Sequence, residues 1–190
     1  MESIIKDNMQ AHLQANRLIR KSQHGFMQKN SCSTNLLEYL EMASSILDWG
    51  GNMDIVYLIF SNAFDLAPRK RLLEKLKAHG FSGNLLKLIE NWLTNRRQRV
   101  VLNGCSSAWR PVLSGVPQGS ILGPILFNIF INDLDEGVKA TILLKFADDA
   151  KVGQQIVSES NRDQLQLTLD MLCTWACRWG MSFNVGKCHV

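Results

Sequence analysis

At 190 residues with 46% hydrophobic side chains, the chain can bury one real core, and its length gives no reason to expect two domains. A charged fraction of 20% excludes a disordered polyelectrolyte, and no apolar run is long enough to cross a bilayer. The net charge of +4 points only weakly to an anionic partner, while five cysteines, an odd set without paired C-x-x-C spacing, argue for reduced thiols in an intracellular protein over a disulfide framework or a zinc site.

Apolar residues at helical spacing predict an amphipathic helix over residues 4–19 and a second over 33–47, which breaks at Gly50-Gly51. Residues 55–60 form a β-branched and aromatic run, apolar on both faces, which predicts a buried central strand. Leu72, Leu73 and Leu76 mark a helix closed by Gly80, and Leu85, Leu86, Ile89, Trp92 and Leu93 mark another after a Ser-Gly break. Residues 98–102 and 108–113 read as a hairpin joined through Asn103-Gly104 by a loop of several residues. Pro117 and Gly119 precede a helix over 120–134, with Pro124 near its first turn. Residues 141–147 and 151–152 read as short strands around Asp148-Asp149, and Leu165, Leu169, Leu172, Ala176 and Trp179 stripe a long last helix. Because several strands meet through short turns, the pattern favours α+β over a doubly wound parallel sheet.

Two features carry chemistry. Asp148 and Asp149 at a hairpin tip repel each other unless a cation neutralises them, and magnesium, a hard ion suited to carboxylate oxygens, would do so; taken alone, the pair also fits a polar turn. Arg96, Arg97 and Arg99, with Arg110 beyond them, read either as a solvated charged face or as a nucleic-acid contact, depending on the neighbouring motifs.

The neighbouring motifs are specific. Phe146-Ala147-Asp148-Asp149 resembles the F-A-D-D box of reverse transcriptases from non-LTR, LINE-type retrotransposons, and further segments match in order. Gln23-His24-Gly25-Phe26 with Ser31-Cys32 resembles the family's Q-x-G-F and S-C segment, and Phe60-Ser61-Asn62-Ala63-Phe64-Asp65 resembles the core of its D-F-S-K-A-F-D box. The string from Ser114 to Pro124 is close to S-G-V-P-Q-G-S-x-L-G-P, continued by Asn128 to Leu134, and Phe183-Asn184 with Lys187-Cys188 resembles F-N-x-x-K-C. The resemblance covers nearly the whole chain, with the jockey-like branch nearest. It implies a polymerase palm, a ferredoxin-like antiparallel sheet packed on helices, spanning 1–190 as a partial reverse transcriptase domain. It also implies magnesium as cofactor, with an RNA template, a DNA primer and deoxynucleotides as partners, and no membrane. By the same resemblance Asp148 and Asp149 are metal-binding and catalytic, in a reaction where two ions activate the attacking hydroxyl and stabilise the leaving oxygen. Phe64 matches the residue that closes over the sugar, or serves as ordinary core, or both. Gln118 matches a contact to the incoming nucleotide, with Gly119 shaping the backbone beside it. Lys187 matches a lysine that protonates pyrophosphate, or is plain surface charge.

One position departs at the centre of the pattern. Where the family places its first metal aspartate, this chain has Ile59, which cannot bind magnesium, and Asp65 six positions later is expected to fall short. Asn30 and Asn62 replace positions usually basic or glycine, and the family's basic fingers region, thumb and endonuclease are not expected within these residues. The expectation is a reverse transcriptase domain by descent with little or no polymerase activity. The rival readings are a non-catalytic nucleic-acid-binding remnant using Arg96, Arg97 and Arg99, and a relic interaction domain.

Overall fold

A computed structural model describes residues 1–190. The chain opens with α1 (Glu2–Ala15) and α2 (Cys32–Asp48), followed by β1 (Asn52–Ile59), a single helical turn α3 (Ala63–Leu66), then α4 (Arg69–Ala78) and α5 (Gly83–Leu93). Four two-residue strands, β2 (Arg97–Gln98), β3 (Val101–Leu102), β4 (Cys105–Ser106) and β5 (Arg110–Pro111), precede α6 (Gly123–Phe130). Two strands, β6 (Ile142–Phe146) and β7 (Asp149–Ile156), lead into α7 (Glu159–Trp179), and a short 3-10 turn covers Val185–Lys187.

Local chemistry sets the helix ends. Ser31 starts α2 through a capping box, its hydroxyl accepting the Thr34 N–H while the Thr34 hydroxyl accepts the Ser31 N–H. α1 stops short of residue 19 because Arg17 takes the left-handed region at φ 52° and Asn16 turns its amide back onto the His12 carbonyl. α7 closes on Gly180 at φ 72°, where glycine carries no Cβ penalty. α6 is apolar all round and seven of its eight residues are buried, so it runs through the core. Ahead of it, the Glu2 carboxylate accepts the Ile121 and Leu122 N–H groups at 3.0 and 3.4 Å. The expected extension of this helix to residue 134 is corrected: it ends at Phe130, and Asn132, Asp133 and Asp135 bond other elements instead of continuing a helical stripe.

The main sheet is antiparallel with order β1-β7-β6, and the predicted central strand is in fact an edge. Val56, Leu58 and Phe60 face the buried core with α6 and α7, whereas Tyr57 on the other face bonds the Tyr39 hydroxyl of α2 at 3.3 Å. That second covering explains why the run reads as apolar on both faces without being central. The free edge of β1 is protected by the end of the chain, which bridges it at Tyr57–His189 and Phe60–Phe183. β7 is eight residues long where only residues 151–152 were expected, because Gly153, Gln154 and Gln155 hide a strand that two flanking ladders enforce. The hairpin loop is likewise tighter than expected. Asn103 and Gly104, at φ 49° and 80°, form a two-residue primed turn, so the return strand starts at Cys105, not residue 108. The architecture is α+β, a three-stranded antiparallel sheet with helices on both faces, and no helix is long and apolar enough to cross a membrane.

Candidate active site

The β6–β7 hairpin carries Asp148 and Asp149 at its tip. In the sheet register Asp149 pairs with Phe146 on one side and with Ile59 on the other, so position 59 stands directly across the ladder from the second aspartate. Directly opposed residues have Cβ atoms about 4.5–5.5 Å apart, so this is the position from which a third carboxylate would join the pair. Instead it presents a hydrocarbon. Burial, and after it the neighbouring Asp148 charge, push the Asp149 carboxyl above the usual aspartate range, with Lys151 and Lys187 pulling it back down. The charge of Lys187 therefore bears on Asp149, although its side chain is exposed. Lys151 bonds the Asn35 side chain at 3.1 Å and lies 5.1 Å from the Tyr39 ring.

The tip is held in a costly conformation. Ala147 sits at φ 55°, a region that non-glycine residues rarely take. Gln23, 2% exposed, reaches it from the segment before α2. The Gln23 side-chain oxygen accepts the Ala147 N–H at 2.9 Å and the Gly25 N–H at 2.8 Å, and its amide donates to the Ala147 carbonyl at 3.3 Å. Gly25 has to be glycine, since a Cβ there would lie 2.2 Å from the Ala147 nitrogen. Asn128 of α6 donates to the Gly25 carbonyl at 2.8 Å and locks the clamp from behind. These supporting residues were read from sequence only as family letters; a motif glycine and a motif glutamine two apart were the available signal.

Beneath the tip, Lys145 is fully buried on β6 and donates to Asp135 at 2.8 Å, with the Ser22 hydroxyl on the other Asp135 oxygen at 2.7 Å. Burial lowers the Lys145 pKa, and Asp135 is what offsets it. A second buried cation, Lys75, pairs with Asp133 and lies 3.7 Å from the Trp179 ring. Sequence reasoning missed both ion pairs, because their partners are 58 and 10 residues apart in the chain.

A further set of predicted residues meets beside β1. Phe64 stacks on Phe127 with ring centres 4.6 Å apart and meets Phe26 edge-on at 6.2 Å, so its packing role is real. Gly115, where a Cβ would lie 2.5 Å from the Phe64 carbonyl oxygen, lets the Ser114–Val116 backbone lie against α3. Val116 N–H then donates to the Phe64 carbonyl at 2.7 Å, and Ser114 donates to the Asp65 carbonyl at 2.7 Å. Gln118, exposed, donates to the Asp65 carboxylate at 3.4 Å, and Gly119 takes φ 78° beside it. Asp65 is thus turned toward Gln118. Arg97 and Arg99 are exposed on the β2–β5 hairpin, Arg99 lying 4.7 Å from the Trp109 ring, while Arg96 is partly buried at its base.

The donor set does not fit a pair of divalent ions. No three histidine, cysteine, aspartate or glutamate side chains gather at one point, and position 59 offers none.

An antiparallel sheet backed by helices, with adjacent carboxylates at a tight hairpin, defines the palm of a nucleic-acid polymerase. The structure of apo telomerase from Candida tropicalis superposes with a TM-score of 0.75 at 14% identity, covering 100% of this chain and 36% of that one, a likeness of fold. The family model described as reverse transcriptase (RNA-dependent DNA polymerase) matches residues 1–190, and the chain belongs to that family. Similar curated proteins are the RNA-directed DNA polymerases from mobile element jockey of Drosophila funebris, 30% identical, and Drosophila melanogaster, 27% identical. Each alignment covers 99% of this chain and 21% of the relative, so the chain spans about a fifth of the length of these relatives.

Proposed function

We propose that this chain is an RNA-directed DNA polymerase domain by descent that has lost metal-dependent nucleotidyl transfer and keeps the capacity to bind an RNA–DNA duplex. The observation that carries the loss is the pairing of Ile59 against Asp149, which leaves two adjacent carboxylates without the third that a magnesium pair needs. Removing one preorganised charge contact costs roughly a hundredfold to a thousandfold in rate, and a shared ligand is worth at least that. The contacts of the remaining residues support reading them as the remnant of a nucleotide site. Phe64 packs on Phe127, Gln118 bonds the neighbouring Asp65, Gly119 bends the backbone next to Gln118, and the Lys187 charge bears on Asp149.

The binding part is supported by the exposed Arg97, Arg99 and Arg110 on one projecting hairpin, with Trp109 half-exposed under Arg99. Primer extension tests the loss directly. On poly(rA) primed with oligo(dT), with deoxythymidine triphosphate and magnesium, the chain is expected to give no extended product; multi-nucleotide extension by the purified chain would refute the loss. Anisotropy of a labelled RNA–DNA duplex tests the binding part, and no change at low salt would refute it.

A further inference from the structure

Between Glu90 and Asp133 the chain has no acidic residue, and its only cations there are Arg96, Arg97, Arg99 and Arg110. Those four equal the whole net charge of +4, so the rest of the chain is electrically balanced. One feature gathers the excess. Arg97 pairs with Pro111 and Gln98 with Arg110; further out, Val101 pairs with Ser106 and Leu102 with Cys105, up to the Asn103-Gly104 turn. The Ser107 N–H donates to the Val100 carbonyl at 2.9 Å and joins the two short ladders into one two-stranded ribbon. At its foot the Val112 N–H donates to the Arg96 carbonyl, and Ser114 and Val116 just beyond bond the backbone of Asp65 and Phe64. The ribbon therefore leaves the body of the protein beside the candidate nucleotide residues.

Every residue from 97 to 111 is exposed, so the ribbon buries none of its side chains on the body. A two-stranded ribbon with nothing packed on it is marginal in water and gains from a surface to lie on. Its side chains divide along its length. Arg97 and Arg99 leave one face and Arg110 the other, because alternate residues of a strand point to opposite faces and Arg110 stands across from Gln98. The outer end is apolar instead: Val100, Val101 and Leu102 are 70, 58 and 71% exposed. Cations on both faces and hydrocarbon at the tip match a nucleic-acid groove, whose two rims are phosphate and whose floor is sugar and base edge. In an A-form RNA–DNA hybrid the minor groove is wide and shallow, whereas the major groove is too deep and narrow to enter.

We propose that the ribbon from Arg97 to Pro111 is an arm for the minor groove of an RNA–DNA hybrid, its arginines on the phosphates of the two rims and Val101 and Leu102 on the groove floor. Such an arm presupposes the duplex binding proposed above, and adds to it the groove and the apolar tip. An apolar tip alone would equally suit a second copy of the chain. The hybrid is favoured because the entire excess charge of the chain surrounds this tip, with no carboxylate between Glu90 and Asp133, which suits a polyanion.

Salt dependence separates the rims from the floor, read by anisotropy of a fluorescein-labelled RNA–DNA hybrid between about 50 and 200 mM NaCl. Each phosphate contact contributes about 0.9 to the log–log slope, so Arg97→Gln/Arg110→Gln should flatten it by about 1.8. Val101→Thr/Leu102→Thr should keep the wild-type slope and bind about tenfold more weakly at every salt concentration, since apolar burial is not screened. Val101→Ile/Leu102→Ile, equally apolar, should bind like wild type. The substituted side chains are exposed, and threonine and isoleucine both suit strands, so all should melt with wild type. On the RNA strand alone, which has no groove, the Thr variant should lose nothing. Unchanged affinity of the Thr variant for the hybrid, an equal loss on the single strand, or equal weakening in the Ile variant overturns the arm and leaves duplex binding standing. So does a Thr variant that binds the hybrid like wild type but abolishes self-association in sedimentation, which would give the tip to a second copy. Failure of the wild type to bind any hybrid at low salt overturns the binding reading and the arm together.

Discussion

Replacing Ile59 with aspartate would set a third carboxylate across the ladder from Asp149 and close to Asp148. With charges about 5 Å apart, Coulomb repulsion is about 3 kcal/mol at an effective dielectric constant near 20 and below about 1 kcal/mol in bulk water. Asp149 is exposed as a residue with its carboxyl partly desolvated, and position 59 is partly buried, so screening places the cost between these limits, at about 1–2 kcal/mol. Loss of the partly buried isoleucine adds about 1 kcal/mol. For a chain of this size 1 kcal/mol moves the melting temperature by about 2–4 °C, so Ile59→Asp should melt about 4–12 °C lower than wild type in chelator. Magnesium at a hundred times its dissociation constant would return about 2.7 kcal/mol, or about 5–11 °C. Scanning calorimetry in chelator, in magnesium chloride and in sodium chloride of matched ionic strength reads all three states. Wild type should show no magnesium-specific shift and Ile59→Asp a clear one. A wild-type shift as large as that of the variant would refute the argument, because the two aspartates would then already suffice. If Ile59→Asp melts like wild type in chelator, the Ile59–Asp149 pairing itself is wrong.

Three other perturbations test the scaffold. Gln23→Leu strands the Gly25 and Ala147 N–H groups and should cost about 2–5 kcal/mol in urea unfolding; a change below about 1 kcal/mol would mean the tip holds itself without the clamp. Asp135→Ala leaves Lys145 buried and unpaired and should cost about 3–5 kcal/mol, with Lys145→Met in the same chain recovering most of it; no recovery would place the damage elsewhere. Asp149 has its folded pKa raised, so it binds protons more tightly folded than unfolded. Its contribution is therefore most favourable below the unfolded pKa and declines as pH rises through the interval up to the raised folded value. Asp148→Asn removes the second of the two raising causes and should shrink that decline. The difference in melting temperature between variant and wild type, followed from about pH 3 to 7, should grow with pH, and a flat difference would refute the coupling.

Local signals made much of this fold legible. Helical periodicity placed α4, α5 and α7, and Asn103-Gly104 named its own turn type, because those patterns report on the segment that carries them. Where the outcome depended on partners, the local pattern misled. Residues 55–60 look central because α2 and the core cover opposite faces, yet the strand lies at an edge that the distant Phe183 and His189 protect. β7 is enforced through Gly153–Gln155 by two ladders, and no local propensity in that stretch announces a strand. The candidate site divides the same way. The hairpin aspartates, Phe64 and Gln118 were visible as motif letters, whereas Lys145–Asp135 and Lys75–Asp133 depend on contacts between residues 10 and 58 positions apart, which no window of sequence reads.

The same division bears on how the proposed loss of a ligand is compatible with the shape of the palm. The strained Ala147 turn is held by Gln23, Gly25 and Asn128, and the base of its hairpin by Lys145 and Asp135; none of these contacts requires an ion. An aspartate at position 59 would make three converging carboxylates, an arrangement that is stable only when a cation neutralises it. Isoleucine at that place carries no charge and leaves hydrocarbon across the ladder from Asp149. Under the proposed loss, isoleucine would exchange a metal-dependent edge for one that stands without metal. The residues around the site thus answer two separate demands, folding and metal binding, and the proposed loss touches only the second.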